Sequence, residues 1–218
     1  MIIKYLKDYL PDCLMCLVLW VLIVIGTFPA NDWSISPGID PPLSWLYNYL
    51  FETGLTKGKN IIFPHGPLAF LMYPLQENIL LSTLTTSLFK GIIVVNIYWL
   101  VSSNKVKKSL ITFLFAYLIS TISGLNHLIL CSILLLYCNY YETRQVTFKI
   151  LAILITAFSL YVKAYVGIVS IVMFFSFTLF FLYENRKLKQ YLIDYTILIF
   201  SLIFIWLLMY NTISGLFH

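Results

Sequence analysis

Polar side chains that could take part in chemistry are concentrated in one stretch of the sequence, residues 31–78. These side chains are Asp40, Lys57, Lys59 and His65. A carboxylate or an imidazole can accept a proton, and a lysine ammonium can pair with a phosphate. His65 has no second histidine nearby at the spacing that metal ligands need, so the sequence does not predict a histidine-based metal site.

The composition indicates that these residues belong to a membrane protein. Of the 218 residues, 61% are hydrophobic and 11% are charged, and the mean hydropathy is +0.90. Soluble domains average about 45–50% apolar and about 25% charged residues. A soluble globular domain, a disordered chain and a nucleic-acid-binding protein are therefore excluded. The cysteines all lie in apolar runs, where we expect packing rather than disulfides or a zinc site: Cys13, Cys16, Cys131 and Cys138.

Apolar runs of about the length needed to cross a bilayer recur along the chain. They cover residues 13–30, 79–102, 109–124, 125–141, 148–162, 164–183 and 191–213. The first run has no small-residue cleavage site, so it is predicted to be an uncleaved helix. Tight turns are predicted at residues 124–127 and at Lys163. The sequence therefore predicts one all-α integral membrane domain over residues 1–218, with about seven transmembrane helices.

The basic residues predict the orientation of these spans. With seven spans, ten basic residues fall on one side of the membrane and three on the other. The first group is Lys4, Lys7, Lys105, Lys107, Lys108, Arg144, Lys149, Arg186, Lys187 and Lys189, and the second is Lys57, Lys59 and Lys163. Because cytoplasmic loops are enriched in lysine and arginine, the amino terminus is predicted to be cytoplasmic. Residues 31–78 then form a large first extracytoplasmic loop.

Two further lysines need an explanation because they border or interrupt apolar runs. Lys163 lies at an outer turn, where it can pair with a lipid phosphate or simply extend to the membrane interface. Lys90 lies inside the second span, where an ionisable side chain must face a wet cavity, a partner or a lipid phosphate. Alternatively, the span begins later, near Thr86, and Lys90 extends outward to the interface. We favour this second interpretation of Lys90.

The first loop is predicted to contain a short amphipathic helix on the outer membrane surface. Pro37-Gly38 and Pro41-Pro42 force turns around Asp40, which can itself serve only to shape this turn. The predicted apolar face comprises Leu43, Leu46, Tyr47 and Leu50, and the polar face Ser44, Asn48 and Glu52. Trp45 and Tyr49 are suited to the headgroup level.

The loop returns to the membrane through a turn-rich run, residues 63–68. Irregular backbone at that depth is tolerated only where it is buried in protein or lines a water-filled cavity. We therefore expect the first span, the surface helix and residues 63–72 to frame a pocket that opens outward. The polar side chains of the loop named above are available to this pocket.

The same loop resembles a pattern found in a known family. The residues concerned are Gly38-Ile39-Asp40-Pro41, Trp45, Gly54-Leu55, Gly58-Lys59 and Phe63-Pro64-His65-Gly66-Pro67-Leu68-Ala69-Phe70. Residues 38–71 resemble bacterial multispanning proteins related to the GT-C superfamily of glycosyltransferases. His65 stands where that pattern usually has an aromatic residue, and Pro64 stands where it usually has threonine.

The resemblance implies a module of seven membrane helices whose large first outer loop carries a catalytic acidic residue. Such enzymes transfer a sugar from a polyprenyl-phosphate carrier to an acceptor. Asp40 would then be the catalytic base or the ligand of a divalent metal ion, and the lack of an Asp-x-Asp pair leaves metal dependence open. Lys57, Lys59 and Lys163 are candidates for binding the phosphate. His65 is a candidate for hydrogen bonding to the acceptor.

The resemblance also implies partners and a location. The expected partners are the lipid bilayer and a polyprenyl-phosphate-linked sugar, with no nucleic acid, in the bacterial inner membrane. The family has a variable carboxyl-terminal part beyond the seven-helix module, whereas this chain stops just after its seventh predicted span. We therefore expect a minimal enzyme, a truncated one, or one half of a complex with a second membrane subunit.

Two other classes of function stay open. A surface-polysaccharide polymerase also has many spans and an outer loop, but arginine-rich outer loops would favour it, and no arginine precedes Arg144. The second class is a non-enzymatic membrane protein, either a transporter or a non-catalytic subunit. Transporters often show inverted repeats and charged residues in broken helices. The second half of this chain shows no repeat of the first and is nearly free of charge within its spans.

Overall fold

A computed structural model describes residues 2–28, 45–50, 66–75, 78–122, 124–185 and 188–210. The regular secondary structure of these residues is all helical. The long helices are α1 (Ile2–Gly26), α2 (Ile79–Leu100), α3 (Lys105–Ile122), α4 (Leu125–Thr143), α5 (Val146–Val162), α6 (Ala164–Asn185) and α7 (Leu188–Tyr210). Shorter helical turns cover residues 45–50 and Ala69–Leu71.

The long helices coincide with the apolar runs of the sequence. Most of their bounds fall within a few residues of the predicted ones, and the helices break at residues 124 and 163 as predicted, although residues 125–127 of the first predicted turn already belong to α4. The main difference is at the amino terminus, where α1 begins at Ile2 and passes through Pro11 instead of starting near residue 13. Apolar patterning located the span, but the polar residues before it continue the same helix.

Three of the helices in the described part of the chain are long and apolar enough to cross a membrane. They are Ile79–Leu100, Ala164–Glu184 and Lys189–Leu208, and Leu10–Gly26 and Val146–Val162 are shorter apolar helices. Large apolar side chains on the outside of the bundle are exposed, for example Ile168 at 59% and Phe200 at 68%. A water-soluble protein rarely exposes so extensive an apolar surface. The described residues therefore form an all-helical bundle with the apolar surface of a membrane protein.

Two helices form the centre of the bundle. α5 packs against α4, α6 and α7, whereas α2 packs against α1, α3 and α4. The side chains between them are buried and mostly branched aliphatic, among them Ile93, Ile129, Ile133 and Ile153. Asn139 of α4 donates from Nδ2 to Oδ1 of Asn96 of α2 at 2.8 Å, so the α2–α4 contact also contains a buried polar link.

A buried ion pair joins α5 to α7. Lys149 Nζ lies 2.8 Å from Asp194 Oδ1 and 2.9 Å from Asp194 Oδ2, and both side chains are only 6% exposed. Lys149 was counted above among the cytoplasmic basic residues. Its charge is compensated inside the bundle, so the orientation is better judged from the other basic residues.

The last part of the first loop, residues 66–75 (the returning segment), is bound to the turn between α5 and α6. Gly66 N donates to Val162 O at 3.3 Å, and Leu68 N donates to Tyr161 O at 2.8 Å. Gly66 is required here because a Cβ atom at this position would overlap the backbone of Tyr161. The returning segment therefore packs against protein, as its irregular backbone predicted.

The described residues 45–50 agree in part with the predicted surface helix, of which Leu43, Ser44 and Glu52 lie outside the described residues. Tyr47 and Leu50 are buried, whereas Trp45 and Tyr49 are exposed and stack on each other with ring centroids 5.0 Å apart. Asn48, predicted to lie on the polar face, is 1% exposed.

Asn48 is buried because its amide binds the returning segment. Its Nδ2 donates to Tyr73 O at 2.9 Å, and its Oδ1 accepts from Leu75 N at 3.2 Å and from Asn78 Nδ2 at 2.9 Å. These bonds satisfy the polar groups of the asparagine without water.

Candidate functional site

The structure locates one of the site residues predicted from the sequence. Lys163 lies in the turn between α5 and α6, partly buried, with Nζ 4.9 Å from the centroid of the Tyr165 ring. The other predicted site residues lie outside the described residues: Asp40, Lys57, Lys59 and His65. No test of their proposed roles follows from the geometry.

A cavity of about 410 Å³ opens where the first loop leaves and re-enters the bundle. Residues on both flanks of the loop line it: Val24, Thr27 and Phe28 before it, and Leu71, Met72 and Pro74 after it. The cavity thus lies between the first span and the returning segment, which are two of the three elements expected to frame a pocket, whereas residues 45–50 do not line it.

Hydroxyl groups supply much of the remaining wall. They belong to Ser82, Thr83, Thr86 and Ser87 of α2 and to Ser120 and Thr121 of α3. Ser82 Oγ donates to Leu71 O at 2.6 Å, which holds the returning segment against α2. Ser120 Oγ is buried and has no hydrogen-bond partner among the described residues. A buried hydroxyl without a partner is uncommon in a native protein and needs an explanation.

Lys90 is the charged residue of this cavity. It is 4% exposed, and its Nζ donates to Thr27 O at 2.9 Å and to Thr27 Oγ1 at 2.6 Å. The interpretation that Lys90 extends outward to the membrane interface is therefore wrong. Because α2 already begins at Ile79, Lys90 lies about 16 Å along the helix, and its side chain turns inward between α1 and α2.

Among the residues that the structure describes, no acidic side chain pairs with the Lys90 ammonium. Both acceptors are neutral oxygens of Thr27, and none of the ion pairs in the described part of the chain involves Lys90. An ammonium has three N–H groups, of which these two bonds use two. The third N–H group is available to a molecule in the cavity.

The amino-terminal end of α4 also forms part of the wall. Gly124 and Leu125 line the cavity, and Gly124 provides no side-chain cap for the helix. The first N–H groups of a helix have no partner within the helix, and the helix dipole places partial positive charge there. The cavity therefore combines a lysine, hydroxyls and a helix amino terminus, all of which favour an anion.

A second, apolar groove of about 830 Å³ lies among α1, α2 and α5. Its wall includes Trp20, Leu88, Phe89, Leu154 and Phe158. Trp20 Nε1 donates to Ser87 O at 2.7 Å, which ties the wall of the groove to a residue that also lines the cavity. The groove is thus suited to a hydrocarbon chain and the cavity to a polar group.

Sequence reasoning missed Lys90 as a site residue, although a signal was present. Four hydroxyl residues precede Lys90 in the same helix, at positions 82, 83, 86 and 87, and they turn toward the cavity with it. In the part of the chain that the structure describes, no three His, Cys, Asp or Glu side chains come together in a way that could hold a metal ion.

The chain matches no protein-family model, no curated protein and no solved structure. The resemblance of residues 38–71 to the GT-C superfamily accordingly stays a prediction from the sequence. Function must be inferred from this chain's own residues and from the cavity that they form.

Proposed function

We propose that this protein is a glycosyltransferase with seven membrane spans. It would move a sugar from a polyprenyl-phosphate carrier to a glycan, lipid or protein acceptor on the outer side of the bacterial inner membrane. One observation carries the proposal: the cavity that contains Lys90 and several hydroxyls is also lined by Phe28 and Leu71, which come before and after Asp40 in the sequence.

The arrangement of the helices supports the proposed side of the membrane. The cavity is formed by the carboxyl-terminal ends of α1 and α3, the amino-terminal end of α4, and α2 from Ser82 to Lys90 near its midpoint. With a cytoplasmic amino terminus, these three helix ends and the amino-terminal end of α2 all lie on the outer side. The opposite ends carry the basic residues that follow α2 and α6, in agreement with the positive-inside rule.

The proposed chemistry needs a base near the acceptor hydroxyl and positive charge near the departing phosphate. Asp40 is the proposed base, or the ligand of a divalent metal ion. Lys57, Lys59 and Lys163 are the proposed phosphate contacts of the loop and the outer turn. The apolar groove beside the cavity is suited to the polyprenyl chain of the donor.

The test is a deletion of the gene in its host, complemented with wild type, Asp40→Asn or Glu142→Gln. Glu142 is an exposed carboxylate at the other end of α4, so it controls for the loss of one acidic group. The masses of surface and lipid-linked glycans are measured, and the amount of each variant in the membrane is determined by immunoblot.

We expect the deletion to leave a glycan lighter by one sugar. Wild type and Glu142→Gln should restore its mass, and Asp40→Asn should not. An unchanged glycan in the deletion strain would contradict the proposed transferase and favour a non-catalytic membrane subunit. Full restoration by Asp40→Asn would remove Asp40 from the catalytic role.

A further inference from the structure

We infer that the cavity is a binding site for a phosphate group, with Lys90 as its cationic residue. Ser120 Oγ and the first N–H groups of α4 are the further donors. If the phosphate belongs to the lipid carrier, the inference rests on the proposed function and adds a phosphate contact inside the bundle. The inference that the cavity binds a phosphate of any kind rests only on the contacts described above.

The charge of Lys90 is the first argument. Lys90 as a whole is 4% exposed, and its ammonium has only neutral acceptors among the described residues. Burying a charge without a counter-ion is costly, and charged residues within membrane helices mark binding sites or ion pathways. A phosphate in the cavity would supply the missing negative charge.

The type of polar group in the wall is the second argument. Ionised phosphate oxygens are strong hydrogen-bond acceptors. The described wall contains a lysine, seven hydroxyls and no carboxylate, and the hydroxyls of Thr27, Ser82 and Thr121 already donate to backbone carbonyls. Among the hydroxyls, that of Ser120 is buried without a partner among the described residues, so a small rotation of its side chain would let it donate to a bound phosphate. A cation would find no acidic ligand in this wall.

The amino-terminal end of α4 is the third argument. Gly124 and Leu125 bring the positive end of the helix dipole to the cavity, and the helix has no side-chain cap. Anions bind favourably at such helix ends because the free N–H groups point toward them. The helix end acts together with Lys90 and Ser120, which lie on two other helices.

The size and position of the cavity fit more than an isolated ion. Its volume of about 410 Å³ lies within the range of about 300–1,000 Å³ that is usual for small-molecule sites. The phosphate could belong to a lipid headgroup that enters from the bilayer, or to a soluble phosphate that enters from water. Both sources present the same chemistry to Lys90.

The experiment uses the full chain, purified in a phosphate-free maltoside detergent. Inorganic phosphate is added in one arm and a polyprenyl monophosphate in the other. Binding is measured by equilibrium dialysis for labelled phosphate and by native mass spectrometry for the lipid. The variants are Lys90→Met, Ser120→Ala and Lys107→Met, the last being an exposed lysine at the opposite end of the bundle.

We expect Lys90→Met to weaken binding about tenfold to a hundredfold, because it removes a charge-assisted hydrogen bond. Ser120→Ala should weaken binding about 2- to 10-fold, and Lys107→Met should bind as wild type does. Binding of the lipid alone identifies a headgroup site, and binding of inorganic phosphate alone identifies a site for a soluble phosphate. Either result supports the inference.

The inference would be overturned if the wild type bound neither ligand, or if Lys90→Met bound as tightly as the wild type. If Lys90→Met is not monodisperse, Ser120→Ala and Lys90→Arg decide instead, since the first must weaken binding and the second must retain it. This binding needs no sugar transfer. A phosphate site with unchanged glycans in the deletion strain would refute the proposed enzyme and leave the site in place.

Discussion

The buried ion pair between α5 and α7 gives a prediction about stability. Lys149 Nζ lies 2.8 Å and 2.9 Å from the two carboxylate oxygens of Asp194, and it also lies 5.2 Å from the centroid of the Tyr140 ring. Removing one partner of a buried pair leaves the other charge without compensation. Replacing both partners with apolar residues of similar size leaves no such charge.

The magnitudes follow from this difference. We expect Lys149→Met or Asp194→Leu alone to lower the free energy of unfolding by about 3–5 kcal/mol. The double variant should be more stable than either single variant and close to wild type. Lys105→Met is the matched control, since its partner Asp12 is 3.5 Å away and Lys105 is 69% exposed. Its loss should cost less than about 1 kcal/mol.

The assay is unfolding in mixed micelles, with sodium dodecyl sulfate added to a mild detergent and helicity followed by circular dichroism. All variants are measured at the same pH and ionic strength, because exposed pairs are screened by salt. The reasoning would be refuted if the two single losses simply added in the double variant. It would also be refuted if each single variant behaved like the exposed control.

Two further predictions concern the segment that returns from the first loop. Gly66→Ala should lower the free energy of unfolding by about 1–3 kcal/mol, because the added Cβ displaces the segment from Tyr161 and breaks two backbone hydrogen bonds. The measurement is hydrogen exchange of the Leu68 N–H group, which should become faster. Asn48→Ala should lower the free energy of unfolding by about 2 kcal/mol, because the carbonyl of Tyr73 loses its amide donor. Protease cleavage near Tyr73 should increase, and unchanged cleavage would argue against this link.

Much of the fold could be predicted because helix position depends on local sequence. Apolar runs ended where helices end, and breaks at Gly124 and Lys163 became turns, since a helix in a bilayer needs a continuous apolar stretch. The pocket at the first loop was also predictable, because irregular backbone near a membrane must pack against protein. The roles of the loop's own polar residues remain predictions.

The environment of Lys90 and Asn48 was not predictable in the same way. A sequence indicates that a residue lies on a helix, but it does not indicate which neighbouring helix the side chain will face. Lys90 appeared able to reach the interface, whereas the packing of α1 against α2 turns it toward Thr27. The sequence predicted that Asn48 lies on a polar face, whereas in the structure the returning segment covers it.

The sequence by itself determined a helical membrane protein, the position of its helices and a polar first loop, because these properties follow from hydropathy and turn residues along the chain. Only the tertiary structure decided that Lys90 and Ser120 line one cavity, and that Lys149 and Asp194 pair. Each pair comes from different helices, 30 or 45 residues apart in sequence. Such partners are set by how the helices rotate and pack, which no local pattern specifies.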